Sequence, residues 1–190
     1  MKPMQTDDIA GRIAFLERFS EEEWRMNGHD KADVVHLRGI YDTLLESVSG
    51  SYMELGCGTG IVCSYVHEFA SEHPAVAGMD ISEKAIALAA RNNQDFSRCF
   101  SVGDYLRCRS DALAEFSTIN VNVLDNTASV RATANMLGRT SDTLKPGTKV
   151  IIFGYGLDFR DGTLAAIVTE SAPSLKVVRL QRVFCVLERQ

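Results

Sequence analysis

Three glycines stand at alternate positions directly after a short apolar stretch, with an acidic residue just before them. They are Gly56, Gly58 and Gly60, and the acid is Glu54. Because glycine lacks a Cβ atom, such a turn can fold tightly and let a ligand approach the backbone closely. The spacing is GxGxG, whereas the dinucleotide-binding fingerprint is GxGxxG. A carboxylate beside the loop suits a cationic ligand and would repel a pyrophosphate. The pattern therefore favours a cationic ligand over a dinucleotide.

A second acid, Asp80, ends the next predicted strand, twenty residues beyond Gly60. A carboxylate at that position can accept hydrogen bonds from both hydroxyls of a ribose. The carboxyl ends of neighbouring parallel strands meet at one edge of a sheet, where ligands of open α/β folds bind. We therefore expect Glu54 and Asp80 to serve the same ligand. The alternative for Asp80 is that it stabilises the N-terminus of the following helix.

Strands and helices alternate from Ser51 onward. The hydrophobic pattern predicts strands over 52–55, 76–79, 99–102, 118–121 and 149–153, and helices over 61–69, 83–91, 124–144 and 163–170. The last segment, 175–187, is rich in β-forming residues and lacks a Gly, Pro or Asn turn signal. A tight hairpin near Gln181 and one long strand both remain open there. The fold class is α/β, a three-layer sandwich with a mostly parallel, doubly wound sheet.

Residues 1–50 are predicted to form an N-terminal helical lid over a ligand-binding domain at 51–190, the two making one structural unit. Ser20 and Glu23 have the spacing of a capping box that begins a short second helix. No inserted cap domain follows the fourth or fifth strand, so a substrate pocket must be built from the N-terminal helices and short loops. The candidate lid residues are Trp24, Met26, His29, His36, Arg38 and Tyr41. For each of them the alternative is a packing or solvent-exposed role.

The composition narrows the classes of partner. The chain has 190 residues and a formal net charge of −5, and it contains no run of Lys or Arg, so we expect no nucleic-acid partner. The five cysteines are an odd number without a paired CxxC spacing, which predicts no metal site. Because no stretch approaches the ~20 apolar residues that span a bilayer, we expect no membrane partner and a cytoplasmic location. A homodimer is one option for its assembly.

Four motifs, in this order, resemble those of the class I (Rossmann-like) methyltransferases that depend on S-adenosylmethionine (SAM). They are the 54–60 loop, Gly78-Met-Asp80-Ile-Ser82, Gly103-Asp104-Tyr105 and the Leu144-Lys-Pro-Gly147 turn before the fifth strand. The resemblance runs from about Ser51 to Phe153. SAM is cationic at its sulfonium and amino groups and carries no phosphate. These properties agree with the acid before the loop.

The resemblance implies a set of cofactor contacts. The glycine loop would wrap the methionine end of SAM, and Asp80 would hold the ribose, with Ile81 against the adenine. Asp104 would face the adenine amino group, and Tyr105 would flank it. Arg38 could bind the carboxylate of SAM, because its planar guanidinium suits that group. The predicted cofactor-binding residues are Glu54, Gly56, Cys57, Gly58, Thr59, Gly60, Asp80, Ile81, Gly103, Asp104, Tyr105, Asn122 and Arg38.

The segment after the fourth strand departs from the family pattern. Ser117 stands where an acid is usual, and Asn126 stands where His is common. Asp125 and Asn126 are polar residues in an otherwise apolar stretch, so we predict that they face the acceptor as the catalytic residues. Asp125 is the preferred candidate for the general base, and His29 and His36 are the next candidates. The alternative is that Asp125 and Asn126 cap the next helix.

The expected function is SAM-dependent methyl transfer to a small-molecule acceptor. Such an enzyme mainly aligns and desolvates a nucleophile, and it needs a general base only for an acceptor that is protonated at neutral pH. The unusual Asn120-Val-Asn122 segment keeps open an enzyme of the same fold that cyclises SAM or transfers its aminocarboxypropyl group. The small size keeps open a catalytically inactive SAM-binding partner subunit. Glu54 and the glycine spacing disfavour a nicotinamide-dependent reductase.

Overall fold

The structure, a computed structural model, describes residues 6–123 and 126–190. Its helices are α1 (Thr6–Glu17), α2 (Glu21–Met26), α3 (Val34–Leu45), α4 (Ile61–Phe69), α5 (Glu83–Asn92), α6 (Thr127–Thr140) and α7 (Thr163–Ser171). Its strands are β1 (Tyr52–Leu55), β2 (Val76–Asp80), β3 (Phe100–Val102), β4 (Thr118–Asn122), β5 (Lys149–Phe153), β6 (Leu175–Leu180) and β7 (Phe184–Arg189).

The strands form one sheet in the order β3-β2-β1-β4-β5-β7-β6. Strands β1 to β5 pair in parallel, whereas β7 runs antiparallel to both β5 and β6. The strand order reverses between β1 and β4, which makes their carboxyl ends the topological switch point of the sheet. The central residue Glu54 pairs in register with Gly78 of β2 and with Asn120 of β4. This arrangement confirms the predicted α/β fold class.

Alternating side chains along the strands build a separate core on each face of the sheet. On one face, helices α1 to α5 cover Tyr52, Ile151 and Phe153. On the other face, α6 and α7 cover Met53 and Ile119. The molecule therefore has three layers, and helices α1 to α3 share a continuous core with the sheet.

The second helix begins as its sequence predicts. The Ser20 hydroxyl accepts a hydrogen bond from the Glu23 backbone N–H at 3.3 Å, and the Glu23 carboxylate accepts one from the Ser20 N–H at 2.7 Å. This capping box satisfies donors that a helix N-terminus otherwise leaves open. Trp24 follows on α2 and is fully buried. The short helix is thus fixed both by its cap and by an aromatic anchor.

The structure decides the conformation of the C-terminal segment, which the sequence left open, and shortens the helix predicted over 124–144. The C-terminal segment is a hairpin, in which Gln181 N–H donates to the Phe184 carbonyl at 2.9 Å and the turn occupies 181–183. The helix predicted over 124–144 begins at Thr127 and gives way to a 3₁₀ turn, Ser141–Thr143. Residues 124 and 125 lie outside the described part of the chain.

Two further observations concern 6–123 and 126–190 alone. None of the helices there is both long and apolar enough to cross a membrane. No group of three or more His, Cys, Asp or Glu side chains in these ranges is placed to hold a metal ion.

The close approach of α6 and α7 generates a stability prediction with a matched control. A Cβ atom on Gly138 of α6 would lie 2.6 Å from the Ser171 carbonyl oxygen of α7, whereas one on Gly39 of α3 would enter open space. We expect Gly138→Ala to lower the free energy of unfolding by ~1–3 kcal/mol through overpacking. Gly39→Ala should raise it by roughly 0.5–1 kcal/mol through helix propensity. Urea denaturation checks both, and two changes of the same sign would contradict the packing.

Candidate functional site

The glycine loop joins β1 to α4 and alternates between ordinary and left-handed backbone conformations. The φ angles of Gly56, Gly58 and Gly60 are 77°, 52° and 74°. Glycine adopts such angles at little steric cost, whereas residues with a Cβ atom rarely do. The GxGxG spacing therefore reflects three left-handed turns of the backbone at every second residue.

Every backbone N–H of this loop already has an acceptor within the protein. Gly56 and Cys57 donate to the Met79 carbonyl at 2.7 and 3.0 Å, Gly58 to Asp80 Oδ2 at 2.9 Å, Thr59 to Asn27 Oδ1 at 3.3 Å, and Gly60 to the Cys57 carbonyl at 2.9 Å. Loops that bind phosphate instead aim their N–H groups at the ligand. The hydrogen bonding of this loop is therefore unsuited to a pyrophosphate, in agreement with its spacing.

Glu54 lies beneath the loop, with only 1% of its surface exposed. One carboxylate oxygen accepts a hydrogen bond from Asn122 Nδ2 at 2.7 Å, and the other accepts one from the Cys63 thiol at 2.9 Å. Asn122 Nδ2 also donates to the Gly56 carbonyl at 2.8 Å. Burial raises the pKa of Glu54 to about 7, although its hydrogen bonds from Cys63 and Asn122 oppose the shift. Glu54 thus holds the loop and β4 together through Asn122.

Asp80 stands at the carboxyl end of β2, half-buried, and braces two backbone segments. Oδ2 accepts from the Gly58 N–H and Oδ1 from the Ser82 N–H, both at 2.9 Å. The N-cap of α5 is Ser82, whose hydroxyl accepts from the Ala85 N–H at 3.2 Å. Each oxygen of a carboxylate can accept more than one hydrogen bond. Asp80 therefore retains acceptor capacity after bracing the loop.

Two aliphatic side chains are left in solvent beside Asp80. Ile81 is 73% exposed, and Val102, the register partner of Asp80 on β3, is 51% exposed. Gly103 follows Val102, and a Cβ atom there would lie 3.0 Å from the Met79 sulfur. This part of the sheet edge therefore combines an apolar surface with a position that has no room for a side chain.

Asp104 and Tyr105 follow β3. Asp104 caps the turn after the strand, since its Oδ1 accepts from the Leu106 N–H at 3.0 Å. The Tyr105 hydroxyl donates to the Asn122 carbonyl at 3.2 Å, and a Cβ atom on Gly56 would lie 3.7 Å from the Tyr105 ring. The structure thus brings the predicted residues Gly56, Tyr105 and Asn122 together at the switch point.

The predicted site residue Cys57 lies under the loop. Its side chain is 1% exposed, and a Cβ atom on Gly78 of β2 would lie 2.8 Å from its sulfur. Burial raises the pKa of this thiol well above its ordinary range. The thiol fills the gap between loop and sheet, so Cys57 supports the loop from below.

Arg38 has a different partner from the predicted one. Its Nη1 donates to Asp42 at 2.6 Å, and the same carboxylate accepts from Arg12 at 2.6 Å and from the Tyr65 hydroxyl at 2.6 Å. These contacts join α3 to α1 and α4. In the structure Arg38 is bonded to Asp42, and its predicted contact with a ligand carboxylate stays a prediction.

Asn126 caps α6. Its Oδ1 accepts from the Ser129 N–H at 2.8 Å and from the Ser129 hydroxyl at 3.1 Å, and the side chain is exposed. This is the capping alternative that the sequence left open, and a catalytic role for Asn126 stays a prediction. Asp125 lies outside the described residues, so its predicted role as a base stays a prediction as well.

The sequence did not point to Asn27, which reaches the glycine loop from the end of α2. Its amide contacts both the backbone and the hydroxyl of Thr59. In the sequence, Asn27-Gly28 reads as an ordinary polar break between helices. No local signal connects it with a loop thirty residues away, since the contact arises from the packing of α2.

A cavity of about 530 Å³ opens beside α2 and the residues that follow Asn27. Its lining consists of Glu21, Arg25, Gly28, His29, Asp30 and Lys31. The His29 ring centroid lies 3.8 Å from that of Tyr155, which follows β5. Of the candidate lid residues, His29 lines this cavity, whereas Trp24 and Tyr41 are buried in the core.

The buried carboxylate generates a pH prediction. A carboxyl group whose pKa is raised by folding stabilises the folded state below its unfolded pKa of about 4.3, and this stability is lost as the pH rises toward 7. Relative to Glu54→Gln, the wild type should therefore lose roughly 2–3 kcal/mol of unfolding free energy between pH 5 and pH 8. Urea titrations at several pH values measure this difference. The exposed Glu115 supplies a control, Glu115→Gln, and a constant difference for Glu54→Gln would contradict the burial argument.

Comparisons with known proteins agree with this geometry. The sequence profile of a family described as "Methyltransferase domain" matches residues 46–184. None of the curated protein sequences matches significantly.

Solved structures share the fold at low sequence identity. Magnesium protoporphyrin IX methyltransferase (ChlM) from Synechocystis PCC 6803, with bound SAM, has a TM-score of 0.61 at 15% identity, covering 100% of both chains. The N-methyltransferase NodS from Bradyrhizobium japonicum WM9 has a TM-score of 0.56 at 19% identity, covering 80% of this chain and 94% of its own. The O-methyltransferase NcsB1 from neocarzinostatin biosynthesis has a TM-score of 0.57 at 16% identity, covering 82% and 55%.

The family profile spans more than half of the chain, and the glycine loop and acidic strand ends described above lie within the matched range. The chain therefore belongs to the class I SAM-dependent methyltransferase family, with SAM as its cofactor.

Proposed function

We propose that this enzyme transfers the methyl group of SAM to a small polar acceptor that binds in the cavity beside α2. The observation that carries the proposal is that the cavity is lined by α2 and by the segment that follows Asn27, the residue whose amide bonds Thr59 of the glycine loop. Its volume of about 530 Å³ lies within the range of small-molecule sites, ~300–1,000 Å³. The names of two similar structures include small molecules, a protoporphyrin and a dihydroxynaphthoic acid, and these support the same substrate class.

The residues at the switch point fit SAM in charge and in shape. Asp80 has acceptor capacity for the ribose hydroxyls, while Ile81 and Val102 offer an exposed apolar surface to the adenine. Gly56 has left-handed backbone and no side chain, which leaves the loop accessible to the methionine end. Tyr105 contributes a ring at the same place. SAM, when bound, supplies an electrophilic methyl group on a sulfonium.

The loop and the buried acid below it suit a cation rather than an anion. The N–H groups of the loop are directed into the protein, and the carboxylate of Glu54 lies directly beneath. A negative charge in a low-dielectric environment acts over several ångströms. Glu54 therefore favours a positive ligand through its field and through the loop geometry, while its oxygens remain bonded to Asn122 and Cys63.

The cavity lining favours acceptors with polar groups, because it carries two cations, Arg25 and Lys31, and two acids, Glu21 and Asp30. One oxygen of Asp30 accepts from the Ala32 N–H at 2.9 Å, and Arg25 is the group that we expect to pair with an anionic part of an acceptor. Asp125, which lies outside the described residues, is the base preferred from the sequence. His29, whose ring lies against Tyr155 and which lines the cavity, is the next candidate to receive a proton from an acceptor that enters protonated. The net charge of −5 keeps nucleic acids disfavoured.

The Asn120-Val-Asn122 segment, which motivated the alternative SAM reactions, makes hydrogen bonds within the protein. Asn122 bonds Glu54 and the Gly56 carbonyl, and Asn120 is fully buried, with its Nδ2 3.4 Å from Asn122 Oδ1. These contacts hold β4 against the loop. They account for two asparagines in a central strand without a contact to the methionine chain, which supports methyl transfer over cyclisation or aminocarboxypropyl transfer.

Asp80 supplies the test of the cofactor geometry. Asp80→Ala should weaken SAM binding by ~2–4 kcal/mol, because it removes charge-assisted bonds to the ribose and the brace on Gly58. Isothermal calorimetry should show SAM and S-adenosylhomocysteine binding to the wild type and no measurable binding of NAD. The exposed Asp95 provides a matched control, Asp95→Ala, which should bind SAM as the wild type does. NAD binding as tight as that of SAM would contradict the site.

Product analysis tests the reaction. Wild-type enzyme incubated with SAM and a panel of small phenols, carboxylates and amines should release S-adenosylhomocysteine together with a methylated acceptor. Methylthioadenosine as the product would instead indicate cyclisation or aminocarboxypropyl transfer. Absence of turnover across the panel, with SAM still bound, would favour the inactive binding subunit.

Arg25→Ala should raise the KM of an anionic acceptor and leave that of a neutral acceptor nearly unchanged.

A further inference from the structure

Asn27 uses its whole side-chain amide to connect α2 with the glycine loop. Its Oδ1 accepts from the Thr59 N–H at 3.3 Å, and its Nδ2 donates to Thr59 Oγ1 at 2.5 Å and to the Glu23 carbonyl at 2.7 Å. A Cβ atom on Gly58 would overlap the Asn27 amide. The asparagine thus occupies the space directly above Gly58.

The loop depends on this side chain for one of its five N–H groups. The other four acceptors come from the loop itself and from the β2 end, Met79 and Asp80, so they are present whether or not α2 is docked. The Thr59 N–H has its acceptor only when Asn27 is in place. Leaving a buried N–H without an acceptor is unfavourable. The conformation that the glycine loop has in this structure is therefore favoured when α2 is docked against it.

Helix α2 also contacts α5, the helix that follows the predicted cofactor residues Asp80 and Ile81. Glu23 is 5% exposed, and its carboxylate accepts from Asn92 Nδ2 and, at 3.5 Å, from Arg91 Nη2. Glu22 pairs with Lys84 at 2.6 Å. Lys84, Arg91 and Asn92 belong to α5, which begins just after Asp80 and Ile81. One short helix therefore bridges the glycine loop and the helix that follows the ribose acid.

We infer that Asn27 is a positioning residue through which the docking of α2 and the binding of SAM stabilise each other. The inference rests on the proposed function, because it assumes that the loop holds the methionine end of SAM. Linkage requires that the coupling be reciprocal: a docked α2 strengthens SAM binding, and bound SAM strengthens docking. The cavity residues Arg25 and His29 belong to the same segment, so SAM binding also fixes the wall of the acceptor site.

The chain carries its own reporter of α2 docking. Trp24 is the single tryptophan, it lies on α2, and it is fully buried. Its fluorescence, and the quenching of that fluorescence by acrylamide, therefore measure whether α2 is docked. The readout requires neither turnover nor knowledge of the acceptor.

The test compares the wild type with Asn27→Ala and with Asn135→Ala. Asn135 is an exposed asparagine of α6, on the opposite face of the sheet, and serves as the matched control. In Asn27→Ala, acrylamide should quench Trp24 more than in the wild type, and saturating SAM should restore most of the protection. The dissociation constant of SAM should rise about 10-fold by calorimetry, as expected for the loss of one or two net hydrogen bonds. Asn135→Ala should match the wild type in both measurements.

Thr59→Val tests the same contact from the loop side and serves if Asn27→Ala does not fold. It removes the hydroxyl that receives Asn27 Nδ2 and keeps the Thr59 N–H, so a roughly threefold rise in the dissociation constant is expected. If Asn27→Ala binds SAM with an affinity within twofold of the wild type, the inference is overturned and the proposed function still stands. If Asn27→Ala does not fold, the same result for Thr59→Val has the same meaning. Unchanged Trp24 quenching in the variant that shows weaker binding would also overturn it. A wild type that does not bind SAM would overturn both the inference and the proposed function.

Discussion

A carboxylate buried under the glycine loop is the interaction on which the arrangement of this site depends. Glu54 lies in the central strand, bonded on one side to Asn122 and on the other to Cys63. Burying an acid is costly unless its oxygens are hydrogen-bonded, and here both are. Through Asn122 the same contact reaches the Gly56 carbonyl, so the acid, β4 and the loop form one connected unit. A bound cation would offset the remaining cost of the charge, which gives a physical reason to keep an acid in the core beneath this ligand.

The loop itself illustrates how the same glycine-rich element serves different ligands. A phosphate-binding loop directs its N–H groups outward, whereas this loop directs them to Met79, Asp80, Asn27 and its own backbone. Its inward hydrogen bonds leave no cluster of outward donors to attract an anion. The three left-handed glycines make this tight loop possible, because residues with a Cβ atom rarely adopt their backbone angles. Discrimination between SAM and a dinucleotide thus begins in the backbone.

The N-terminal helices contribute to the site in two distinct ways. Helices α1 and α3 serve mainly as packing, with Asp42 drawing together Arg12, Arg38 and Tyr65. Helix α2 and the residues after it carry contacts to the loop, to α5 and to the cavity. The packing contacts of the N-terminal helices are therefore separate from those that reach the glycine loop and the cavity.

Much of the fold and the family assignment were accessible from the sequence, because they depend on local patterns. Strands β1 and β5, helix α4 and the Ser20–Glu23 capping box follow from residue periodicity and short-range chemistry, and their boundaries agree with the structure. The hairpin at 181–183 was undecided, since its turn lacks the residues that mark turns locally and is set by pairing with β5.

The partners of individual site residues required the tertiary structure. Arg38, which the sequence predicted at the cofactor, bonds Asp42 one turn along α3, and the packing of α3 against α1 and α4 adds Arg12 and Tyr65 to the same carboxylate. Asn27 gave no local signal, and its contact with Thr59 spans 32 positions of the chain. The sequence alone determined which residue types were available and in what order the elements come. Which side chains meet was decided by how helices pack on the sheet, since a hydrogen bond depends on distances that residue spacing along the chain does not encode.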